Sequence, residues 1–423
     1  MVEALVARLL ATLNGLTQSF RSQASEADRC ARLPQPVVDE LKGAGLFRLW
    51  IPRRFGGLEL ELADALRVYE AAAIIDGSVG WAVMIGSGGG LFAAYLAPDA
   101  AQELFGPANA LIAGSGSPDG RADSVAGGYR VAGRWKYASG AHYATTFTAN
   151  CVLYRDGQPL RGASGEPVIR AMSFPTSEVT IVPTWDAGGM RGTGSHDFEV
   201  RNSFVAEQRT FSVLADPPRE PGVLYRLPFA VLTELPVTAV AVGIARHALE
   251  AFAAFAASKR VRFEGGSVKV AGHVAKAAGY LTNTTDSPPS RGPHSPCTLA
   301  DEADVQRQYA ESHARYSMVH SHLYSLARDC WETVATGGTL TAVQLAEISA
   351  GCALGVAELH RAIGDLARLA GMTAILGESE FARAWRDLQT LGAHISVSSR
   401  QFTTAGQALL KTRVAALPMI TVT

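Results

Sequence analysis

The residue pattern of this chain changes period near Leu111 and changes back near Val213. Between those points, residues 129–131, 146–154, 168–174, 179–183 and 198–204 are rich in β-branched and aromatic side chains, separated by Gly, Asp and Pro. Such runs between turn residues read as strands. Gly127-Gly128 and Asp156-Gly157 are hairpin signals, because both dipeptides tolerate the positive φ that tight turns need. On either side the pattern is helical. In residues 2–16 apolar side chains recur three and four positions apart. Leu33-Pro34-Gln35-Pro36 can open a helix, since proline suits a first turn, and Gly43 or Gly45 closes it. Residues 60–75 are helical again, and Ser78 starts a further helix through Trp81 and Met84. After Pro217, Pro218 and Pro221 the pattern is helical to the end, apart from a Ser/Thr/Pro/Gly-rich loop over 282–296. The expectation is an α+β fold in three parts. These are an N-terminal helical domain (1–110), a central β-barrel or sandwich (111–213) and a C-terminal four-helix bundle (214–423).

Composition removes several function classes. With a net charge of −1 the chain offers no basic face for a nucleic acid. Cys30, Cys151, Cys297, Cys330 and Cys352 are scattered with no C-x-x-C spacing, so they suggest neither a disulfide framework nor a metal site. They fit free thiols in a reducing cytoplasm. No charged start precedes an apolar run, so no signal peptide is expected. No uncharged apolar run long enough to span a membrane is expected either.

Four segments carry candidate chemistry. Residues 113–120, Ala-Gly-Ser-Gly-Ser-Pro-Asp-Gly, look at first like a nucleotide loop. The third glycine falls one residue late and Pro118 obstructs a following helix, so the dinucleotide fingerprint fails. The segment reads equally as a surface turn. Trp135 followed by Ser139-Gly140 sets a large aromatic before a hydroxyl at a strand end; a core tryptophan beside a turn serine is the plainer alternative. Residues 189–195, Gly-Met-Arg-Gly-Thr-Gly-Ser, pair glycine backbone that can approach a ligand closely with the fixed cation of Arg191. A glycine-rich turn with a solvated arginine is the alternative. Residues 381–394 look helical, which puts Asp387, Thr390 and His394 on one face. His320 and His322 are two apart on a helix, so they do not form a metal pair.

With these motifs on a helix–sheet–helix layout, the chain resembles the acyl-CoA dehydrogenase superfamily. Within it, the W-x-x-x-S-G, G-M-R-G-T-G-S and R-D-x6-H patterns resemble the oxygenase components of two-component reduced-flavin monooxygenases, the 4-hydroxyphenylacetate hydroxylase and dibenzothiophene monooxygenase type. The resemblance implies FAD used as FADH2, with FMN an alternative, and O2 activated as a flavin C4a-hydroperoxide. It also implies an aromatic or heteroaromatic substrate, a separate NAD(P)H:flavin reductase and a homotetramer. Carried over residue by residue, Ser139 and His394 are the catalytic candidates, with His394 a base or orienter. Trp135, Ser139, Ser115, Ser117, Arg191, Thr193 and Ser195 would line the flavin, and Arg260 or Arg262 would meet its phosphates or adenine. Trp81 and His394 would face substrate. Related hydroxylases place a second histidine after an S-x-x-W pattern. Here Ser78-Val79-Gly80-Trp81 is followed by Ile85-Gly86-Ser87-Gly88-Gly89-Gly90, which suggests a roomier pocket for a bulky, even polycyclic, substrate. Alternatives from other classes are an acyl-thioester dehydrogenase using Glu234 as base, an N-oxygenase of amines or amino sugars, and a flavin-less helical scaffold.

Overall fold

The computed structural model describes residues 2–264, 267–270, 273–274, 297–376 and 379–416. The 282–296 loop lies outside them.

Five helices come first: α1 (Val2–Cys30), α2 (Gln35–Gly43), α3 (Leu62–Ile75), α4 (Gly77–Gly88) and α5 (Pro98–Phe105). Pro34 and Pro36 flank the start of α2, where a missing N–H costs nothing. Asp76 caps α4, its carboxylate accepting the Ser78 N–H at 2.9 Å. Strands β1 (Ile112–Val125), β2 (Gly128–Ala138), β3 (Thr146–Arg155), β4 (Gln158–Pro159), β5 (Ile169–Pro175), β6 (Thr180–Val182), β7 (His196–Ala206) and β8 (Thr210–Phe211) follow. They form one mixed eight-stranded sheet in the order β6-β7-β2-β1-β3-β5-β8, with β4 beside β3. The β1–β3 pair is parallel and the other ladders are antiparallel. Asp156 (φ 51°) and Gly157 (φ 76°) make the β3–β4 turn, the left-handed pair that an Asp-Gly hairpin requires.

The C-terminal part holds α6 (Val223–Arg226), α7 (Val231–Ser258), α8 (Ala303–Ala335), α9 (Ala342–Ala370), α10 (Glu380–Gly392) and α11 (Arg400–Ala416). It is not wholly helical. Strands β9 (Arg260–Glu264), β10 (Ser267–Val270), β11 (His273–Val274) and β12 (Cys297–Thr298) form a second sheet between α7 and α8.

Three helical stretches, Gly77–Ala94, Val231–Ser258 and Ala342–Ala374, are long and apolar enough to cross a membrane. The first carries no charge, against the expectation that no such run exists. Within the protein, 83% of its window and 67% of the second are buried. Small residues permit that packing. A side chain at Gly80 of α4 would lie 2.4 Å from the Ala73 Cβ, and one at Gly243 of α7 would lie 2.6 Å from the same atom. Helices α3, α4 and α7 therefore approach to near backbone contact, which brings Trp81 of α4 to the end of the large sheet.

Candidate active site

The site forms where β2 ends and β7 begins. In that antiparallel ladder Ala138 pairs with His196, so the next residues outward, Ser139 and Ser195, stand opposite each other. Their hydroxyl oxygens are 2.7 Å apart. Ser195 in turn lies 2.7 Å from Thr193 Oγ1, and Thr193 Oγ1 donates to the Met190 carbonyl at 2.8 Å. From the other end, the Trp81 indole N–H donates to Ser139 Oγ at 2.9 Å. Trp81, Ser139, Ser195 and Thr193 are all buried. The sequence motifs thus converge on one continuous chain of hydroxyls linking α4 to the loop before β7.

His394 closes the other side of Trp81, with ring centroids 5.3 Å apart in an edge-to-face contact. It is not the last member of a helical face. Helix α10 ends at Gly392, and His394 caps the 3-10 turn Ile395–Val397. Gly392 sits against His360, where a side chain would come within 2.0 Å of the imidazole, and the chain leaves the helix there. His394 Nδ1 accepts the Ser396 N–H at 3.3 Å. That bond sets the tautomer: the neutral ring carries its proton on Nε2. Burial lowers the His394 pKa below its ordinary value, so the ring is neutral at pH 7 and offers Nε2–H as a donor. The geometry favours an orienting donor over a base.

The loop before β7 is held from outside by groups that the motifs alone do not reveal. Asp387 of α10 accepts the Met190 N–H at 2.6 Å, and Arg386 Nε donates to the Gly188 carbonyl at 3.1 Å. Asp387 is buried, and loss of solvent together with the nearby Asp76 carboxylate raises its pKa well above the usual range. Arg383, also buried, lies 3.4 Å from Asp76 and opposes that rise. Trp185 Nε1 donates to the Met190 carbonyl at 3.0 Å, and its ring meets Tyr137 edge-on at 6.2 Å. Tyr137 is 66% exposed and takes φ 66°, at an irregularity of the β2–β7 register just before Ser139.

Several expected contacts lie elsewhere. Trp135 is fully buried in the sheet core, stacked on Phe198 at 5.1 Å, and its indole N–H donates to the Asn150 carbonyl at 2.9 Å. It supports the sheet and has no face left for a ligand. Arg191 donates to the Asp28 and Ala187 carbonyls at 2.7 and 2.8 Å and pairs with Asp186 at 2.7 Å. It fastens the loop to the end of α1. Ser115 and Ser117 lie within β1, at the bulge where its pairing with β3 shifts register between Ser115 and Gly120, and not in a free loop. Ser117 is exposed and Ser115 half-buried. Arg260 is exposed on β9, beyond the end of α7, and Arg262 lies on the same strand. The glycines after Trp81 do not open a large pocket. Side chains at Gly86, Gly89 and Gly90 would meet Phe47 at 2.5 Å, Ile112 at 3.0 Å and Ile51 at 2.6 Å, and of that run only Gly88 faces open space. Glu234, the alternative base, is buried in the first turn of α7. Its two carboxylate oxygens lie 2.9 and 2.8 Å from the Ser349 hydroxyl of α9. Burial raises its pKa to about 7.

A cavity of about 420 Å³ lies away from this site, among Arg67, Glu70, Arg246, His320 and Tyr324. Its charged groups are already engaged: Glu70 accepts from the Tyr324 hydroxyl at 2.6 Å and Arg246 pairs with Glu250 at 3.0 Å. Among the described residues no cluster of His, Cys, Asp and Glu could hold a metal.

Two family models match the chain: Acyl-CoA dehydrogenase, N-terminal domain, over residues 13–104, and Acyl-CoA dehydrogenase, C-terminal domain, over residues 271–399. Together they span more than half of it. The chain is 28% identical over 391 residues to indole-3-acetate monooxygenase of Pseudomonas putida, covering 91% of this chain and 89% of that protein. It is 27% identical over 419 residues to the FADH(2)-dependent resorcinol hydroxylase, oxygenase component, of Rhizobium sp., covering 92% and 91%. Among solved structures, XiaF from Streptomyces sp. in complex with FADH2 and glycerol matches with a TM-score of 0.82 at 21% identity, covering 99% of this chain and 98% of that one. That likeness establishes the fold.

Proposed function

From the premise that this chain belongs to the acyl-CoA dehydrogenase family, we propose that it is the oxygenase component of a two-component flavin-dependent monooxygenase acting on an aromatic or heteroaromatic substrate. The observation that carries the reading is the convergence of Trp81, Ser139, Ser195, Thr193 and His394 at one strand end. These groups fit a flavin. A ring nitrogen that gains and loses a proton needs a partner able to donate or accept, and a hydroxyl does both. Bound reduced flavin would supply the activation of O2, one oxygen atom passing to the substrate and the other leaving as water.

In this reading Ser139 would hold the flavin edge through its hydroxyl. Trp81 fixes that hydroxyl and walls the substrate side. His394 holds a proton on Nε2, where it would orient an oxygen-bearing group by donating to it. Asp387, Arg386 and Arg191 keep the loop before β7 in place. FAD is the expected flavin, with FMN an alternative, and a separate NAD(P)H:flavin reductase would deliver it reduced. Exposed apolar residues on the C-terminal helices, Met318 (73%), Leu354 (53%) and Leu410 (68%), support self-association as a homotetramer. The free thiols of Cys30, Cys151, Cys330 and Cys352 support a cytoplasmic setting.

The test supplies FADH2 from a separate reductase, under 18O2, to a panel of phenols, indoles and fused aromatics. Incorporation of one labelled atom into product, abolished in Ser139→Ala, is the expected result. Hydrogen peroxide alone across the panel, with oxidation of acyl-CoA thioesters by an artificial acceptor, would overturn the proposal.

A further inference from the structure

We propose that Thr193 and Ser195 form a reversible hydroxyl switch that decides whether Ser139 donates or accepts toward the flavin. The inference rests on the flavin reading above and deepens it. Trp81 can only donate, and the Met190 carbonyl can only accept. Between these fixed ends stand three hydroxyls, 2.7 Å apart at each step, and either oxygen of each pair can be the donor.

Two arrangements satisfy every group. In the inward one, Ser139 donates to Ser195, Ser195 to Thr193, and Thr193 to the Met190 carbonyl at 2.8 Å. Ser139 oxygen then accepts from Trp81 and keeps one lone pair for a donor on the ligand. In the outward one, Thr193 donates to Ser195 and Ser195 to Ser139, so the Ser139 proton points at the ligand. Both lone pairs of Ser139 are then used, by Trp81 and Ser195. The Met190 carbonyl is not orphaned by the reversal, because Trp185 Nε1 at 3.0 Å and the Thr193 N–H at 3.2 Å still donate to it. Reversal turns three O–H bonds and moves no backbone.

The two arrangements suit the two redox states of a flavin. Reduced flavin carries N5–H and needs an acceptor. Oxidised flavin has a bare N5 and accepts. A lone serine can meet either, but its proton is left without a partner when it accepts. Ser195 and Thr193 remove that penalty, and both are positioning residues that act through Ser139.

The test measures dissociation constants for FAD, and for photoreduced FAD under anaerobic conditions, on the full chain. Thr193→Val removes the acceptor for the Ser195 proton and so locks the chain outward. The loss of one satisfied hydrogen bond is about 3–10-fold. The reduced-to-oxidised ratio of dissociation constants should rise by that factor, the loss falling on the reduced form. Ser195→Ala should move the ratio the same way, and Thr193→Ser should restore it. A loss equal in both redox states, or an unmoved ratio in both variants, overturns the switch and leaves the flavin reading standing. A wild-type chain that binds neither form overturns the flavin reading and the switch with it. A flavin-free readout is the indole N–H resonance of Trp81, assigned by Trp81→Phe in 15N-tryptophan-labelled protein. In Thr193→Val it should move upfield, because Ser139 oxygen must then accept from Ser195 as well; an unchanged resonance counts against the switch.

Discussion

Asp387 provides the sharpest test of how the site loop is held. Its carboxylate accepts the Met190 N–H at 2.6 Å in a buried setting. Asp387→Asn keeps an oxygen facing that N–H, whereas Asp387→Ala leaves it buried without an acceptor. The difference between the two variants isolates one hydrogen bond, about 2 kcal/mol when a buried donor is orphaned. For a chain of 423 residues unfolding as one unit, the entropy of unfolding is about 0.9 kcal/mol per degree, so the melting gap is only about 2 °C. Local opening is the better assay, because 2 kcal/mol there is about a 30-fold change in amide exchange. Hydrogen–deuterium exchange over residues 188–195 should be about 30-fold faster in Asp387→Ala than in Asp387→Asn. Equal exchange in the two variants would refute the anchoring argument. The pH dependence has a definite sign as well. Burial and Asp76 raise the Asp387 pKa, so its contribution to stability is complete below the ordinary carboxylate value and is lost as pH rises through the raised one. The stability of Asp387→Asn relative to wild type should therefore grow with pH.

Three further outcomes follow from the same geometry. A side chain at Gly189 would lie 2.2 Å from the Arg386 carbonyl oxygen, which is backbone and cannot turn aside; Gly189→Ala should cost about 1–3 kcal/mol and weaken flavin binding, measured by melting and titration. Glu234 has its pKa raised to about 7, so its stabilising contribution is full below about 4.5 and disappears as pH rises through 7. Glu234→Gln keeps an acceptor for Ser349 and should gain on wild type above pH 7, by at most about 1.4 kcal/mol per unit of the shift, with aromatic oxygenation unchanged; loss of oxygenation would refute the purely structural role of Glu234. Burial lowers the His394 pKa, so its contribution is present above about 6.5 and is lost as pH falls through the lower folded value. His394→Gln should flatten the acid limb of the melting profile and lower turnover at neutral pH, and an unaltered acid limb would contradict the buried neutral ring.

The three-part layout was legible because it rests on local pattern. Pro34 and Pro36 at the start of α2, the Asp156-Gly157 turn and the β-branched and aromatic run over residues 146–154 each act within a few residues, and each appears where it was expected. What was not legible depends on partners distant in sequence. The glycines of residues 113–120 read as a turn, yet Gly120 is small because a side chain there would lie 2.2 Å from the Trp135 ring. The glycines after Trp81 read as an open pocket for the same reason, and Phe47 and Ile51 fill that space instead. Trp135 was placed in the site by its spacing from Ser139, but a bulge between Trp135 and Ala138 turns the two residues to different surroundings. Ser139 and Ser195 were both singled out, but only strand register makes them neighbours. Periodicity carried α10 through His394, because nothing local announces that Gly392 must pack on His360.

The site is rigid at a cost that the surrounding contacts must exceed. Tyr137 and Met190 are not glycines, yet they take φ 66° and 54°. Each such conformation is disfavoured by about 1 kcal/mol or more, and it persists only where neighbours over-determine it. At Met190 they do: Asp387 takes its N–H, while Thr193 and Trp185 take its carbonyl. At Tyr137 the constraint is the irregular β2–β7 register and the Ser139 N–H donated to the Tyr137 carbonyl at 3.0 Å. The two strained residues flank the hydroxyl chain, one before Ser139 and one before Thr193. If strain here serves placement, releasing either residue should harm the site more than the fold. Tyr137→Gly removes the backbone penalty together with the ring that meets Trp185. Its melting temperature should therefore stay close to wild type while flavin affinity falls. Separate loss of affinity is what distinguishes a placed site from a merely well-packed one.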